Sequence, residues 1–228
     1  MNWYLDNILD RKKESPYTFY APSDLILNKL KVGDIVKLIF VINEPADEGP
    51  SAERMWVIIT EREGNSFKGT LDNEPTAIEG LHYQDIIAFE TQHISNTEYD
   101  DPTSYVQEMY MDTFALVTNE VFEKDEYNVM VKDNPHDKDD CGWMFYSGYE
   151  SDEYLDNTDN YQVVALGVLL NIDDSCLAFL DQASVGSVYE RDDNGIMRKV
   201  DEIEMESSSE ETNRLDAMNH PDNTRNLN

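Results

Sequence analysis

Short apolar segments separated by turn residues limit the fold of the first half of this chain more than any other feature. Residues 35–42 have the apolar, β-branched composition of a strand, and residues 55–60 and 67–71 follow the same pattern. The Gly-Asn pair within residues 63–66 is typical of a hairpin turn. Short strands joined in this way predict a small antiparallel, barrel-like β-domain.

Helical patterns precede these strands. In residues 1–13, Leu5, Ile8 and Leu9 stand at helical spacing, and the Ser-Pro pair at 15–16 ends the pattern. A further helical turn is predicted over residues 25–30. We therefore expect residues 1–97 to form a β-rich, barrel-like domain with an N-terminal helix.

A polar and acidic segment, residues 95–102, ends in a proline and is typical of a linker. We place the domain boundary there, so that residues 98–200 form the second domain. An acidic loop at residues 133–140 joins two strand candidates of this domain. Its strand candidates are 115–122, 127–131, 142–146 and 186–191.

The apolar run 163–170 lacks alternation, which indicates burial on both sides and fits either a central strand or a core helix. A cap at residues 173–175 predicts a short helix up to Leu180, and Asp-Asn-Gly at 193–195 predicts a turn. The second domain is therefore predicted to be α+β with a mostly antiparallel sheet. Residues 201–228 lose apolar periodicity, so we expect a disordered tail.

Acidic side chains are concentrated in the middle of the chain. The formal net charge is −31, and residues 98–160 alone hold 18 acidic and 3 basic side chains. Such a field repels nucleic-acid phosphates and anionic lipid, so we expect neither a nucleic-acid nor a membrane partner. A basic protein would be attracted. Solubility or a salt-rich habitat is the alternative explanation of an acidic surface.

The cysteines indicate a reducing compartment. Cys141 and Cys176 lie 35 positions apart and fit neither a CxxC pair nor a disulfide framework. The N-terminus lacks a basic start followed by an apolar run, and residues 163–170 are too few to cross a bilayer, which needs about 20. We therefore expect a cytoplasmic protein.

No residue pattern indicates a metal site, a cofactor or a catalytic centre. The four histidines are scattered, and the loop from Asp137 has Gly148 where a calcium loop requires Glu. Nucleophile-elbow, zinc-protease, P-loop and dinucleotide-binding motifs do not occur in the sequence. We predict a protein without catalysis, metal or cofactor. A cryptic hydrolase using His82 or His93 is an open alternative.

Aromatic and acidic side chains lie close together in sequence between residues 139 and 154. Carboxylates beside aromatic rings can anchor a basic partner through apolar contact and cation–π attraction. Core packing is the alternative for the rings, and a solvated surface is the alternative for the carboxylates. The predicted partner-binding residues are Asp139, Asp140, Trp143, Tyr149, Glu150, Asp152 and Glu153.

The sequence Asp-Cys-Gly-Trp at residues 140–143, followed by Ser-Gly at 147–148 and by Glu150, resembles a motif of bacterial immunity proteins. These belong to polymorphic toxin systems and were once a family of unknown function. They typically carry Asp-Ser-Gly-Trp, then a Ser-Gly-acidic stretch and a later arginine, which Arg191 matches. Cys141 replaces the usual serine.

The first domain is similar, through residues 53–57 and 67–75, to a second small family of unknown function that often accompanies the first. Together the resemblances imply an immunity protein that binds and neutralises a cognate bacterial toxin, which the acidic surface predicts to be basic. A regulatory or scaffold module without a toxin partner is the alternative from another class.

Overall fold

The computed structural model describes residues 2–45 and 48–200. The chain divides into two compact units between Asp112 and Thr113. The division lies beyond residue 97, where the sequence predicted the boundary. The tail predicted for residues 201–228 lies outside the described residues.

The first unit is built mainly from strands. Its elements are β1 (Trp3–Leu5), α1 (Ile8–Glu14), α2 (Asp24–Lys29), β2 (Ile35–Ile42), β3 (Ala52–Glu63), β4 (Ser66–Leu71), β5 (Ile86–Glu90), a 3-10 helix (Thr91–His93), β6 (Ile94–Thr97) and α3 (Tyr105–Met111). Gly64 has a φ of +60°, and Glu63 pairs with Ser66, which confirms the predicted hairpin turn.

The strands of the first unit form a nearly closed antiparallel sheet. The strand order is β1-β2-β3-β4-β5, and β6 returns to pair with β2. Leu5 of β1 pairs with Phe40, and Ile94 of β6 pairs with Leu38, so β1 and β6 share one edge of β2. The predicted barrel-like domain is confirmed. Its buried core consists of Leu30, Val36, Leu38, Phe40, Met55, Val57, Ile59, Phe67, Leu71, Ile78, Leu81, Ile87, Phe89 and Ile94.

The sequence predicted one helix over residues 1–13, and this prediction is wrong. Trp3 packs on Phe40 with ring centroids 5.2 Å apart, and its backbone pairs with β2, so residues 3–5 are a strand. The helix begins only after Asn7, whose side chain accepts a hydrogen bond from the Leu9 amide. Strand pairing therefore overrides the helical spacing before Asn7.

The predicted linker at 95–102 is also wrong. Residues Ile94–Thr97 are strand β6, and Asp101 is only 9% exposed. Its carboxylate accepts hydrogen bonds from the Tyr20 hydroxyl and from the Ser23 amide. These bonds tie the segment after β6 to the N-terminal part of the first unit.

The second unit combines helices with a sheet. Its elements are β7 (Phe114–Thr118), α4 (Asn119–Lys124), β8 (Val129–Lys132), β9 (Asp140–Tyr146), α5 (Asp152–Leu155), a 3-10 helix (Thr158–Asn160), β10 (Tyr161–Ala165), α6 (Leu166–Ile172), a 3-10 helix (Ser175–Ala178), β11 (Val188–Arg191) and β12 (Met197–Lys199). The strand order is β10-β7-β9-β8-β11-β12, with β7 and β9 parallel and the other neighbours antiparallel. The α+β prediction is confirmed.

The apolar run 163–170 is neither one strand nor one helix. Strand β10 ends at Ala165, and α6 begins at the next residue. Val163 is 67% exposed, whereas Leu169 is buried, so burial on both sides is wrong for the strand part. The predicted strand 115–122 similarly ends at Thr118, where α4 begins and buries Val121.

The remaining connections of the second unit follow the sequence prediction more closely. The acidic loop joins β8 to β9, which pair antiparallel. Strands β11 and β12 form a hairpin, in which the Asp192 carboxylate accepts hydrogen bonds from the Asn194 and Ile196 amides. The helix predicted up to Leu180 is only a 3-10 helix at Ser175–Ala178. Within the described ranges, every helix is too short or too polar to cross a bilayer.

Candidate partner-binding site

Asp140, the first residue of β9, fixes the acidic loop that precedes it. One carboxylate oxygen accepts a hydrogen bond from the His136 amide at 2.8 Å, and the other accepts from the Gly142 amide at 2.7 Å. Asp137 accepts hydrogen bonds from two further loop amides. The Asp140 side chain is therefore engaged with backbone, and its role in the structure is to shape the loop.

Gly142 provides the close approach that this loop requires. Its φ is +69°, and a Cβ at this position would lie 2.4 Å from the Asp133 carbonyl oxygen. The Asp133 amide donates a hydrogen bond to the Gly142 carbonyl at 2.7 Å. Only glycine combines this φ with this approach without strain. The neighbouring Cys141 is half-buried, and its carbonyl accepts a hydrogen bond from the Lys132 ammonium.

Trp143 lies in the core of the second unit. Its side chain is 1% exposed, its indole nitrogen donates a hydrogen bond to the Leu180 carbonyl, and its ring lies 5.9 Å from that of Tyr189. A residue this deeply buried cannot touch a partner without unfolding of its surroundings. Trp143, predicted as a partner-binding residue, is placed among the core residues by the structure.

Glu150 ties the turn after β9 to the end of β7. Its carboxylate accepts hydrogen bonds from the Ser147 and Gly148 amides and from the Thr118 hydroxyl. Partial burial opposes ionisation of Glu150, but these hydrogen bonds more than offset it and hold the pKa of Glu150 below its ordinary value. Glu150 therefore holds backbone, as Asp140 does.

Arg191, the later arginine of the motif, is also engaged with backbone. Its guanidinium donates hydrogen bonds to the carbonyls of Tyr127 and Gly195 and to the side chain of Asn128. Arg191 thus joins β11 to the segment before β8. The motif residues as a group fix turns and core packing.

The comparisons with known families agree with this architecture. Residues 115–201 match the family model described as the immunity protein Imm33 domain. We refer to the second unit, which contains these residues, as the Imm33 domain after this match. Residues 20–114 match the model described as an uncharacterized protein conserved in bacteria, DUF2314. Both resemblances predicted from the sequence are confirmed, whereas no curated protein and no solved structure matches the chain.

The exposed members of the predicted partner-binding set lie in two separate places on the Imm33 domain. Asp139 is in the acidic loop before β9, whereas Asp152 and Glu153 form the first turn of α5, after β9. Tyr149, also after β9, is 60% exposed and lies 5.4 Å from the Lys124 ammonium. A strand of this length separates its two ends by roughly 20 Å. The structure therefore does not bring the predicted residues into one cluster.

A groove of about 390 Å³ lies beside the acidic loop. Its floor is apolar and includes Leu116, Met144 and Val163, and its rim includes Asp137 and Asp139. Residues 133–140 contain four Asp and one Lys. The groove thus combines an apolar floor with a negative rim.

The groove continues into a row of apolar side chains that crosses five strands of the Imm33 domain. In the strand register, Val163 is opposite Leu116, Leu116 opposite Met144, Met144 opposite Val131, and Val131 opposite Val188. Because side chains alternate between the faces of a sheet, this row lies on the face opposite to Trp143. Val163 is exposed and the other four are half-buried. We call these five residues the open face.

Two tyrosines next to the open face, Tyr146 and Tyr161, have raised pKa values, and nearby carboxylates contribute to the increase. Burial raises the pKa of Tyr146, and the nearby Tyr161, Glu150 and Asp133 raise it further. Burial also raises the pKa of Tyr161, together with the charges of Glu150 and Asp156. Negative charges therefore lie near this face of the sheet both in the acidic loop and in the turn that contains Glu150.

The sequence prediction missed the open face because its members are spread over five strands. A possible signal was the alternation along β9, where Trp143 and Phe145 are buried while Met144 and Tyr146 are half-buried. Alternation shows that two faces differ, but the strand order was needed to show that Met144 lies beside Leu116. The site therefore emerges only from the tertiary fold.

Within residues 2–45 and 48–200, no group of three His, Cys, Asp or Glu is placed to hold a metal ion. Cys141 and Cys176 are free thiols, and burial raises the pKa of Cys176 to about 11. His82 lies 3.7 Å from the Asp85 carboxylate on an exposed turn, beyond hydrogen-bond distance. The Nδ1 atom of His93 accepts a hydrogen bond from the Glu90 amide, so that nitrogen is already engaged.

Proposed function

We propose that this chain is an immunity protein that binds and neutralises a cognate bacterial toxin. The observation that carries the proposal is the match of residues 115–201 to the Imm33 domain. In this role the chain would act by binding and not by catalysis. The engagement of Asp140, Glu150 and Arg191 with backbone supports this role, because the motif then serves to maintain a binding surface.

The charge of the second unit supports a basic toxin as the partner. Residues 113–200 hold 19 acidic and 6 basic side chains. A field of one sign steers an oppositely charged protein toward the surface and raises the association rate. The same field disfavours nucleic acid and anionic membrane as partners. We further propose that the protein acts in the cytoplasm, where Cys141 and Cys176 stay reduced.

Neutralisation would follow from occupation of the toxin's own functional surface. A toxin that acts on nucleic acid needs a basic surface for the phosphates. An acidic protein competes for that surface directly, so binding and inhibition are one event. This mechanism requires no chemical step from the immunity protein.

Rescue of growth tests the proposal. Each toxin domain encoded near this gene is expressed in a sensitive host, with or without the full chain, and viable cells are counted. We expect one toxin to be neutralised and an unrelated toxin of the same charge to remain active. If no neighbouring toxin is neutralised, the chain is not an immunity protein of this kind.

A further inference from the structure

We propose that the open face is the docking surface for an amphipathic, cationic segment of the partner. The proposal rests on the proposed function insofar as the toxin would supply this segment. Neighbouring strands lie about 4.8 Å apart, so a row across five strands is about 19 Å long. An apolar stripe of this length, flanked by Lys or Arg, is the complementary surface.

The packing of the Imm33 domain leaves this face available. The other face of the sheet is buried and carries the side chains of Ala115, Val117, Met130, Trp143, Phe145 and Tyr189. On the open face, Val163 of β10 is 67% exposed, and Phe114 beside it is 37% exposed. The other four residues of the open face are half-buried. Large apolar patches at a domain surface typically mark an interaction site.

Charge complementarity selects a cationic partner for this face. Asp133, Asp137 and Asp139 border the groove at one end, and the charges of Glu150 and Asp156 act on the tyrosines toward the other end. The nearby Lys132 is opposite Trp143 in the register and lies on the other face of the sheet, where its ammonium donates to the Cys141 carbonyl. Basic flanks on a partner segment would therefore meet carboxylates on both sides.

The same charges argue against a second copy of the chain as the occupant. Two open faces in contact would bring two acidic loops together, each with four Asp and one Lys. Like charges across an interface are unfavourable, and the net charge of −31 adds a general repulsion. A basic partner has neither penalty.

Methionine-methyl NMR provides a test with internal controls. Met144 lies on the open face, Met130 is 0% exposed in the core of the same unit, and Met109 is 50% exposed on α3 of the first unit. The probe is a synthetic amphipathic helix of Leu and Lys, and the matched control peptide replaces each Lys by Glu. We expect the Leu/Lys peptide to shift the Met144 signal in a saturable way and the Glu control peptide to leave it unchanged.

Two variants locate the binding. Val163→Asp should weaken binding of the Leu/Lys peptide at least tenfold, because it removes an apolar contact and buries a carboxylate against the Leu stripe of the peptide. Ile196→Asp is the matched control, since Ile196 is 53% exposed beside β12 at the opposite edge of the sheet. An unchanged Met144 signal, equal shifts of Met109, or Met144 shifts that depend on protein concentration without peptide would each overturn the proposal.

The toxin identified by rescue provides the second readout. We expect Val163→Asp to lower its affinity at least tenfold and Ile196→Asp to leave the affinity unchanged. Unchanged affinity of Val163→Asp would show that the toxin docks elsewhere, while the immunity function stands. If no toxin is neutralised but the Leu/Lys peptide still shifts Met144, the immunity function fails and the docking surface stands.

Discussion

Arg191 and Asp173 form an ion pair that joins strand β11 to the end of helix α6. The side chains are 20% and 28% exposed. Burial opposes ionisation of Asp173, but hydrogen bonds from Ser175 and the charge of Arg191 hold the pKa of Asp173 below its ordinary value. One guanidinium thus connects α6, β11 and the segment before β8.

Removal of this guanidinium should destabilise the second unit. We expect Arg191→Met to lower the free energy of unfolding by about 2–3 kcal/mol, because the Asp173 carboxylate and two carbonyls lose a charged donor. Lys138→Met is the control, since Lys138 pairs with Asp139 on the exposed loop and such pairs contribute about 0.5 kcal/mol. Urea unfolding followed at the Met130 methyl group distinguishes the two. Equal effects would contradict the structural role of Arg191.

The Asp101 carboxylate should make the first unit sensitive to acid. Burial opposes its ionisation, but hydrogen bonds from Ser23, Thr103 and Tyr20 lower the pKa of Asp101 to about 2. The unfolded value is about 3.9, so the stabilisation is fully present above that pH and is lost as the pH falls toward 2.

We therefore expect Asp101→Asn to lower the free energy of unfolding by about 2 kcal/mol at pH 7. The difference from the unmodified chain should shrink between about pH 4 and pH 2. Unfolding followed at the buried Met55 methyl group measures it. Asp100→Asn, at the exposed neighbouring position, should change little at any pH. A pH-independent difference for Asp101→Asn would contradict the electrostatic origin.

Alanine substitutions at two glycines of the second unit should distinguish the cost of backbone strain from the cost of steric overlap. Both Gly142 and Gly195 have positive φ, but a Cβ at Gly195 meets nothing within 4 Å, whereas one at Gly142 meets the Asp133 carbonyl. We expect Gly195→Ala to destabilise by about 1–2 kcal/mol and Gly142→Ala by at least about 2 kcal/mol more. Thermal unfolding of the two variants measures the difference. Similar losses would show that the loop can relax around a methyl group.

Asp139 should affect how fast the toxin binds. Asp139 is exposed at the rim of the groove, and rim charges act mainly on the association rate. We expect Asp139→Lys to slow association about three- to tenfold at low salt, with little change in dissociation. The difference should close at high salt, because screening shortens the range of the charge. Stopped-flow measurements with the toxin identified by rescue check this, with Glu79→Lys on the first unit as the control.

Local patterns predicted the fold wherever a strand and its partner are close in sequence. Residues 35–42 and the 63–66 hairpin follow the prediction because composition and turn type decide them locally. Trp3–Leu5 is a strand because it pairs with β2, and the sequence did not predict it because the paired residues 40–42 lie far along the chain. The polarity of residues 95–102 similarly suggested a linker, although Asp101 is buried by long-range hydrogen bonds.

The candidate site was predictable only in part, for the same physical reason. The motif at residues 140–150 spans Met144 of the open face, but Asp140 and Glu150 of the motif hold backbone amides instead of presenting contacts. The open face depends on the parallel pairing of β7 with β9, which sets Leu116 beside Met144. Such a pairing cannot be predicted from local sequence, since the residues of one strand do not determine which distant strand pairs with it.

The alternation along β9 has a consequence for how such a domain can diversify. Trp143 and Phe145 are buried, whereas Met144 and Tyr146 between and after them are half-buried on the other face. The buried side chains of this strand therefore contribute most to the packing of the core, and the side chains on the other face contribute less. A lineage can exchange the outward residues one at a time and acquire a new partner while the scaffold and its motif stay unchanged.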